Sequence, residues 1–305
     1  MAACGAFGQS ILGNSERLDL ERIHGKCYLE HLGRYEFAAR FVLGKEVLDV
    51  ACGTGYGAPL LIAAGAKSYR GVDISPEALE IAERRYKVSP NISFMPGDAC
   101  RLDGIEDGTI DLVVSFETIE HLAQPSQFLA GLRRVLAPGG VLIVSTPNRA
   151  VRNPGGNLNS IPANPYHLRE WNTSEFTQLL RDFFRVEEVL GQSPRLIPYC
   201  YWKYCKESLR RRAKKHESLK RLVERYRRSE SLSNEPSLPE PVGNVPIPVQ
   251  SVRPWQRQTI IVCVCRRPPF LSEGIRTSHP VRYSVYRSAD LVAHSRAARA
   301  GSLEE

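Results

Sequence analysis

The sequence lacks any long apolar run and has few cysteines. No apolar segment approaches the roughly 20 residues needed to cross a bilayer, which excludes a transmembrane protein. Residues 1–13 carry no basic region and Glu16 soon follows, which argues against a secretory signal. The eight cysteines among 305 residues are too few for a disulfide scaffold, and none forms a CxxC pair typical of zinc ribbons or thioredoxin-like redox motifs. We therefore expect a reduced, cytoplasmic, globular protein.

Net charge is also absent from most of the chain. The total is +8, yet residues 203–228 alone contain twelve Lys or Arg and three Glu. That segment carries +9 and the remainder carries −1. Any argument from the basic isoelectric point to nucleic acid therefore applies to this one segment.

Short apolar segments alternate with amphipathic ones along the first half of the chain. The predicted strands are 46–51, 68–73, 91–96, 110–116, 140–146, 186–190 and 259–265. The predicted helices are 15–44, 59–64, 77–86, 125–136 and one capped by Thr173 or Ser174 that runs to Phe183. Near-continuous apolar strands that alternate with helices indicate an α/β fold, with a parallel sheet covered on both faces.

The chain divides into five predicted units. They are an N-terminal helical cap (1–44), a core (45–192), a basic helical and Pro/Ser-rich insertion (193–257), a last core strand (258–268) and a tail (269–305). Within the core, residues 148–170 are rich in Asn, Pro and Gly, which predicts a long functional loop. The tail has no sustained periodicity, so we expect it to be disordered.

A glycine-rich segment follows the first predicted strand. Gly53, Gly55 and Ala58 satisfy the G-x-G-x-x-[GA] fingerprint of dinucleotide-binding loops. Glycines at a strand-to-helix turn let the backbone approach a ligand and direct helix N-terminal N–H groups at it. Alone, this pattern fits an ordinary glycine turn equally well.

Two aspartates at the ends of the next two strands favour a nucleotide site. Asp73 lies about 20 residues after the loop, where a carboxylate accepts hydrogen bonds from a ribose in dinucleotide folds. Asp98 follows the third strand, where it could accept a hydrogen bond from an adenine amine. Asp73 also disfavours a phosphorylated dinucleotide, because its carboxylate would repel a 2′-phosphate.

These motifs resemble those of class I S-adenosylmethionine-dependent methyltransferases. VLDVACGTGYG, GVDIS, GDA, DLVVSFETIEHL and RVLAPGGVLIVSTPN follow one another across residues 46–148 in the order and at the spacing of that family. The resemblance implies a Rossmann-like, seven-stranded, mostly parallel sheet whose last strand is antiparallel. It also implies methyl transfer from S-adenosyl-L-methionine. A hydride-transfer enzyme would share the glycine loop but not SFETIEHL or the APGG turn.

The resemblance assigns residues to each part of the cofactor. Against the methionine portion it places Asp49, Gly53 and Gly55. Against the ribose and adenine it places Asp73, Ile74, Asp98 and Ala99, and against the methyl-sulfonium end Phe116 and Glu117. The segment HLGRY resembles a helix that lies over the cofactor, which adds Arg34 and Tyr35 as contacts. Tyr35 fits core packing equally well.

Three residues are candidates for the chemistry of transfer: Glu117, His121 and His167. Methyl transfer is an in-line displacement, so the protein must align the acceptor, and a hydroxyl or amine acceptor must also lose a proton. His121 follows the fourth strand, although a similar His in relatives can be structural. His167 lies in the loop that should cover the acceptor. Glu120 is a further candidate, although a solvated helix residue is the simpler interpretation of it. We find no group with divalent-metal ligand geometry and predict no metal site.

Several segments resemble a narrower group, the methyltransferases found with bacterial cell-surface polysaccharide biosynthesis. These segments are SFETIEHL, STPN, NPYHLREW and EFTQLLRDFF. The resemblance favours a sugar hydroxyl as the acceptor, or another oxygen of a small molecule or glycan. The alternatives are a quinone or other small metabolite, RNA held by the basic segment, and an inactive cofactor-binding partner subunit.

The basic segment 203–228 has an apolar stripe. Leu219, Leu222, Val223 and Tyr226 lie at i, i+3, i+4 and i+7, which predicts a basic amphipathic helix. The simplest interpretation is a solvated helix docked by its stripe. Peripheral contact with an anionic membrane at its inner face is the next interpretation, and nucleic acid is the least favoured partner.

The cysteines of the second half fall into two pairs. Cys263 and Cys265 alternate on one predicted strand, so we expect both to be buried on the same face. Cys200 and Cys205 flank an aromatic run that suggests packing. We do not expect these four cysteines to bind zinc.

Overall fold

The computed structural model describes residues 26–196, 248–251 and 256–268. The predicted basic helix 203–228, the tail 269–305, Cys200 and Cys205 lie outside these residues. Among the helices that are described, none combines the length and the apolar character needed to cross a bilayer.

The described elements follow the predicted alternation. The strands are β1 (Glu46–Val50), β2 (Ser68–Asp73), β3 (Ile92–Pro96), β4 (Ile110–Phe116), β5 (Leu136–Pro147), β6 (Arg185–Leu196) and β7 (Gln256–Arg266). The helices are α1 (Lys26–Ala39), α2 (Ala58–Ala63), α3 (Pro76–Tyr86), α4 (Pro125–Val135), α5 (Arg149–Arg152) and α6 (Thr173–Arg181), with a single 3-10 turn at Ile119–His121.

The strands form one seven-stranded sheet in the order β3-β2-β1-β4-β5-β7-β6. β1 to β5 pair in parallel, and β7 pairs antiparallel with both β5 and β6, which confirms the predicted antiparallel last strand. The chain adds β2 and β3 on one side of β1 and then β4 and β5 on the other. The strand order therefore reverses between β1 and β4, and the carboxyl ends of strands at such a point are where open α/β sheets bind ligands.

Apolar side chains cover both faces of the sheet. α4 and α6 pack on one face, and α1, α2 and α3 pack on the other. Along β4, Val113 joins the first core and Leu112 and Val114 join the second, as the two-residue period of a strand requires. Cys263 and Cys265 are both buried in the first core, which confirms their predicted burial.

Several element boundaries differ from those predicted. α1 ends at Ala39 rather than at residue 44, because the chain tightens into a turn in which the Phe41 N–H donates to the Ala38 carbonyl at 2.9 Å. β6 and β7 extend past the predicted borders at 192 and 258, because they pair as far as Leu196 and Gln256.

Two local predictions need correction near the end of β5. Segment 148–170 is not all loop, since it opens with α5, where the Asn148 side chain accepts the Ala150 N–H at 3.0 Å. α6 is capped by Asn172 rather than by Thr173 or Ser174. The Asn172 side chain accepts the Glu175 N–H at 2.9 Å, and Glu175 in turn accepts the Asn172 N–H at 2.8 Å, which completes a capping box.

Candidate cofactor and acceptor site

The glycine loop turns the chain sharply from β1 into α2. Gly53 and Gly55 have φ of 56° and 76°, a backbone conformation that favours glycine. A Cβ on Gly55 would lie 2.6 Å from Cε1 of Phe94 and 2.7 Å from Cβ of Ala82, so no side chain fits there. A Cβ on Gly53 would meet no atom of the described chain within 4 Å, so Gly53 borders open space.

Asp73 ties the glycine loop to the end of β2. Its Oδ2 accepts the Gly53 N–H at 2.8 Å, and its Oδ1 accepts the Ser75 N–H at 2.9 Å. Each carboxylate oxygen has a second lone pair, so the group can still accept hydrogen bonds from a diol. Ile74 beside it is 68% exposed, which gives the same edge an apolar surface that can contact a flat ring.

Asp98 and Ala99 follow β3, next to the end of β2. The Gly97 N–H donates to the Asp73 carbonyl at 3.0 Å, so the ends of these two strands are joined directly. Oδ1 of Asp98 accepts the Cys100 N–H at 2.8 Å, which fixes the carboxylate, and Ala99 is half-buried. The structure thus brings both predicted acids to the same edge of the sheet as the glycine loop.

Asp49 is buried behind the loop. Its Oδ2 accepts the hydroxyls of Tyr35 at 2.8 Å and Tyr69 at 2.7 Å. Burial raises the pKa of Asp49 to about 7, although the two hydroxyl hydrogen bonds oppose that shift. Tyr35 is itself buried against the ring of Phe116, with ring centroids 5.1 Å apart, so it contributes to core packing at the site.

Arg34 is a buried cation with unsatisfied donors. Its Nη1 donates to Oε1 of Gln192 at 2.7 Å, and its guanidinium carbon lies 5.8 Å from the centroid of the Phe116 ring. Within residues 26–196, 248–251 and 256–268, its Nε and Nη2 have no acceptor, and the buried hydroxyl of Thr54 in the glycine loop has no partner either. Unpaired buried polar groups are costly, so an anionic or polar ligand would stabilise these atoms.

Glu117 lies at the end of β4 in a strained backbone conformation. Its φ is 53°, in the left-handed region. Ser145 at the neighbouring end of β5 holds it, because the Ser145 hydroxyl donates to Glu117 Oε1 at 2.8 Å and the Glu117 N–H donates to Ser145 Oγ at 3.1 Å. The predicted residue is therefore fixed at the carboxyl edge of the sheet, and its side chain is half-buried.

Glu120, His121 and His167 come together beside Glu117. One potential metal-ligand atom from each of the three side chains lies within 4.8 Å of the others. The His121 and His167 rings are 4.9 Å apart and meet edge to face. Glu120 is fully buried rather than solvated as predicted, and burial, followed by repulsion from Glu117, raises its pKa well above the usual range.

The loop that carries His167 is fastened to the 3-10 turn. The N–H groups of Leu168 and Arg169 donate to the Glu120 carbonyl at 2.9 Å and 3.3 Å. Nδ1 of His167 lies 2.8 Å from Oε1 of the buried Glu170, and its Nε2 lies 2.9 Å from Nδ2 of Asn164. Backbone and side-chain contacts together therefore fix the orientation of the His167 ring.

The match to known families covers the core of this site. Residues 48–144 match the family described as "Methyltransferase domain". Over this segment the chain is therefore similar to methyltransferase domains. The structure of an S-adenosylmethionine-dependent methyltransferase from Thermotoga maritima shares the fold, with a TM-score of 0.50, 19% identity, and coverage of 79% of this chain and 90% of that one.

Several curated relatives are named as methyltransferases. The chain is 40% identical over 158 residues to a Mycolicibacterium smegmatis protein named "Probable S-adenosylmethionine-dependent methyltransferase", covering 52% of this chain and 58% of the relative. A Mycobacterium tuberculosis protein of the same description is 37% identical over 61% of this chain and 66% of its own length. A ubiquinone biosynthesis O-methyltransferase of Paraburkholderia xenovorans is 33% identical over 36% of this chain and 47% of its own length. The chain thus spans less than two thirds of these relatives.

The sequence alone did not indicate Asn164 and Glu170 as residues of this site, and it favoured a solvated Glu120 where the structure has a buried one. Glu170 and Asn164 hold the His167 ring, and Glu120 completes the group with His121. The spacing of His167 and Glu170 in HLRE was a usable signal, because the two side chains meet at i, i+3. Glu120 gave no such signal, since its burial depends on the distant loop that folds over it.

Proposed function

We propose that this protein transfers the methyl group of S-adenosyl-L-methionine to an oxygen of a small molecule or glycan, with a sugar hydroxyl favoured. The observation that carries the proposal is the pair of imidazoles, His121 and His167, at the same sheet edge as the glycine loop. Phe116 links the two parts, because its ring contacts Tyr35 and Arg34 on one side and Glu117 follows it on the other. The proposed site of the methyl donor and the proposed proton-accepting imidazoles are therefore neighbours.

The cofactor residues suit the polar groups of S-adenosylmethionine. Asp73 would accept from the ribose hydroxyls, Asp98 would accept from the adenine amine, and Ile74 would pack on the ring. Arg34 Nε and Nη2, which have no acceptor among the described residues, would pair with the carboxylate of the methionine portion, together with the Thr54 hydroxyl. Gly53 would border the cofactor with its backbone, since no atom of the described residues occupies the space beside it.

The residues at the end of β4 act on the acceptor. When bound, S-adenosylmethionine supplies a methyl group on a positively charged sulfur, open to in-line attack by an oxygen. His121 and His167 lie where they can orient the acceptor hydroxyl and take up its proton, and Glu170 keeps the His167 ring in place. The buried aromatic wall of Tyr35 and Phe116 excludes water from the opposite side.

A second acceptor class is favoured by the loop over the site. Leu158, Ile161, Tyr166 and Leu168 are exposed there, and Ile161 is 90% exposed. Such a surface suits an acceptor with an apolar part, such as a phenol, a quinol or a lipid-linked glycan. The ubiquinone O-methyltransferase relative is consistent with the quinol.

Contact with an anionic membrane through 203–228 remains a further proposal, supported by the charge of that segment alone. Such a contact would bring the enzyme to a lipid-linked acceptor. RNA as the acceptor and an inactive partner subunit are the competing proposals. The acceptor that becomes labelled in a transfer assay separates these two from the main proposal.

A labelled-methyl transfer assay tests the proposal. The protein is incubated with methyl-labelled S-adenosylmethionine and, separately, sugar and glycan acceptors, quinols and RNA. We expect label on a sugar or quinol oxygen, with at least about a 100-fold loss of rate in His167→Asn, as for removal of a proton acceptor. Asn159→Ala, an exposed change in the same loop, is the control and should transfer normally. Cofactor binding without label on any acceptor would contradict the proposal.

A further inference from the structure

We propose that Glu120, His121 and His167 form a binding site for one divalent transition-metal cation. Two imidazoles and one carboxylate are a ligand set that such cations bind, and one candidate ligand atom from each residue lies within 4.8 Å of the others. The residues come from two separate segments, the 3-10 turn after β4 and the loop after α5. The fold therefore assembles the group from distant parts of the chain.

The first support is the way both imidazoles are held. Nδ1 of His121 lies 3.0 Å from the Tyr166 carbonyl oxygen, which can only accept, so Nδ1 must carry the proton. Nδ1 of His167 likewise donates to the Glu170 carboxylate at 2.8 Å. Each ring therefore keeps a lone pair on Nε2, and a metal-binding histidine characteristically donates its other N–H to a carbonyl or carboxylate in this way.

The second support is an unsatisfied oxygen on Glu120. The side chain is fully buried, and its Oε2 accepts the Thr146 hydroxyl at 3.0 Å. Its Oε1 has no donor in the part of the chain that the structure describes. That oxygen lies 4.0 Å from His121 Nε2, which is too long for a hydrogen bond. A buried carboxylate oxygen without a hydrogen-bond donor destabilises the folded protein, and a cation bound between that oxygen and the imidazoles would compensate for the missing donor.

The ligand types indicate which cations fit. Nitrogen ligands favour Zn²⁺, Mn²⁺, Fe²⁺ or Co²⁺ over Ca²⁺ and Mg²⁺, which prefer all-oxygen sites. Tetrahedral ligands at about 2.05 Å from a metal lie about 3.3 Å apart, so the group must contract on binding. His167 Nε2 must also exchange its contact with Asn164 Nδ2 for the metal. Three protein ligands leave at least one position open to an exogenous oxygen.

The open position gives the site a use in the reaction, and this part rests on the proposed function. A hydroxyl bound to the cation would release its proton to solvent water more readily, so the cation would activate the acceptor oxygen. His121 and His167 would then hold the cation instead of taking the proton. The two roles differ in one measurable way, because a proton-accepting imidazole is indifferent to chelators.

Metal binding is tested directly on the full-length protein. The protein is stripped with a chelator, exchanged into chelator-free buffer, and titrated with Zn²⁺ and Mn²⁺ by calorimetry. Bound metal is counted by mass spectrometry after gel filtration. We expect Glu120→Gln and His167→Asn to lose one equivalent of tightly bound metal. Glu170→Gln should lower the metal affinity about 10- to 100-fold, because Glu170 orients the His167 ring. The exposed carboxylate change Glu106→Gln is the control and should bind as the wild type does.

S-adenosylmethionine affinity, measured on the same samples, shows that each variant is folded and separates this inference from the proposed function. Equal metal stoichiometry in wild type, Glu120→Gln and His167→Asn would overturn the site, because the metal would then sit elsewhere. Absence of any tight metal binding to the wild type would overturn it as well. Neither result would affect methyl transfer by imidazoles acting alone.

Discussion

Gly55 and Gly139 offer a matched test of how tightly the glycine loop is packed. Their φ angles are 76° and 77°, so replacement by Ala imposes the same backbone strain at both. Their surroundings differ, because a Cβ on Gly139 would meet no atom of the residues that the structure describes within 4 Å, whereas one on Gly55 would meet Phe94 and Ala82 at 2.6–2.7 Å. Backbone strain costs about 1–2 kcal/mol, offset in part by the lower entropy of the unfolded Ala variant. Forcing a methyl group into a filled core costs about 1–3 kcal/mol more.

We therefore expect Gly139→Ala to lose about 1 kcal/mol of unfolding free energy and Gly55→Ala about 2–4 kcal/mol. Urea unfolding of both variants and the wild type, followed by circular dichroism, measures the difference. Equal destabilisation of the two variants would refute the packing argument. It would mean that the chain moves away from Phe94 at little cost and that the loop does not require glycine at residue 55 for steric reasons.

Three further predictions concern the cofactor, pH and the basic segment. Gly53→Ala should have an unfolding free energy within about 1–2 kcal/mol of the wild type. It should lose much of its affinity for S-adenosylmethionine in calorimetry, because the added Cβ enters the space, open among the described residues, that the cofactor would fill. Undiminished affinity would mean that the cofactor binds elsewhere. Asp49 has a pKa raised from 3.8 to about 7 by burial, so the folded state binds its proton more tightly and loses stability as pH rises through that window. Between these two pH values, the unfolding free energy of Asp49→Asn should therefore rise relative to that of the wild type by up to about 1.4 kcal/mol per pH unit. A difference between the two in urea unfolding that does not change with pH would contradict this. Deleting residues 203–254 should weaken binding to anionic vesicles in a sedimentation assay, and unchanged binding would refute the membrane contact.

The fold was predictable because its signals are local. Each strand of the parallel half is a short apolar run followed by a turn, and the pairing of β1 with β2 and β4 follows from the resemblance in motif order. The boundaries at 192 and 258 were less predictable, since β6 and β7 continue as polar segments that are stabilised by pairing with each other. The hydropathy pattern of a single strand does not show how far that strand pairs with a distant one.

The candidate site was predictable to different degrees on its two sides. On the cofactor side, Gly53, Gly55, Asp73 and Asp98 follow strand ends, and a parallel sheet brings such ends together. On the acceptor side, the sequence suggested His121 and His167 separately but not their contact. Their meeting depends on the loop docking onto the Glu120 carbonyl through two N–H groups, which is a tertiary event.

Burial of charge was the least predictable property. Glu120 is in a helical motif rich in polar residues, yet it is fully enclosed beside Thr146. Arg34 is equally enclosed, and two of its nitrogens have no acceptor within the described part of the chain. Both facts depend on how α1 and the loop after α5 cover the sheet edge, and hydropathy assigns each residue to solvent.

Calorimetric titration with S-adenosyl-L-methionine tests the central claim, a cofactor site at the ends of β1, β2 and β3, most directly. We predict one binding site in the wild type, at least about a tenfold loss of affinity in Asp73→Ala, where charged hydrogen bonds worth about 1.5–3 kcal/mol are removed, and no change in Asp103→Ala, an exposed carboxylate outside the site. Thermal unfolding of each variant verifies that it is folded. Wild-type affinity in a folded Asp73→Ala variant, or no binding to the wild type, would contradict the account.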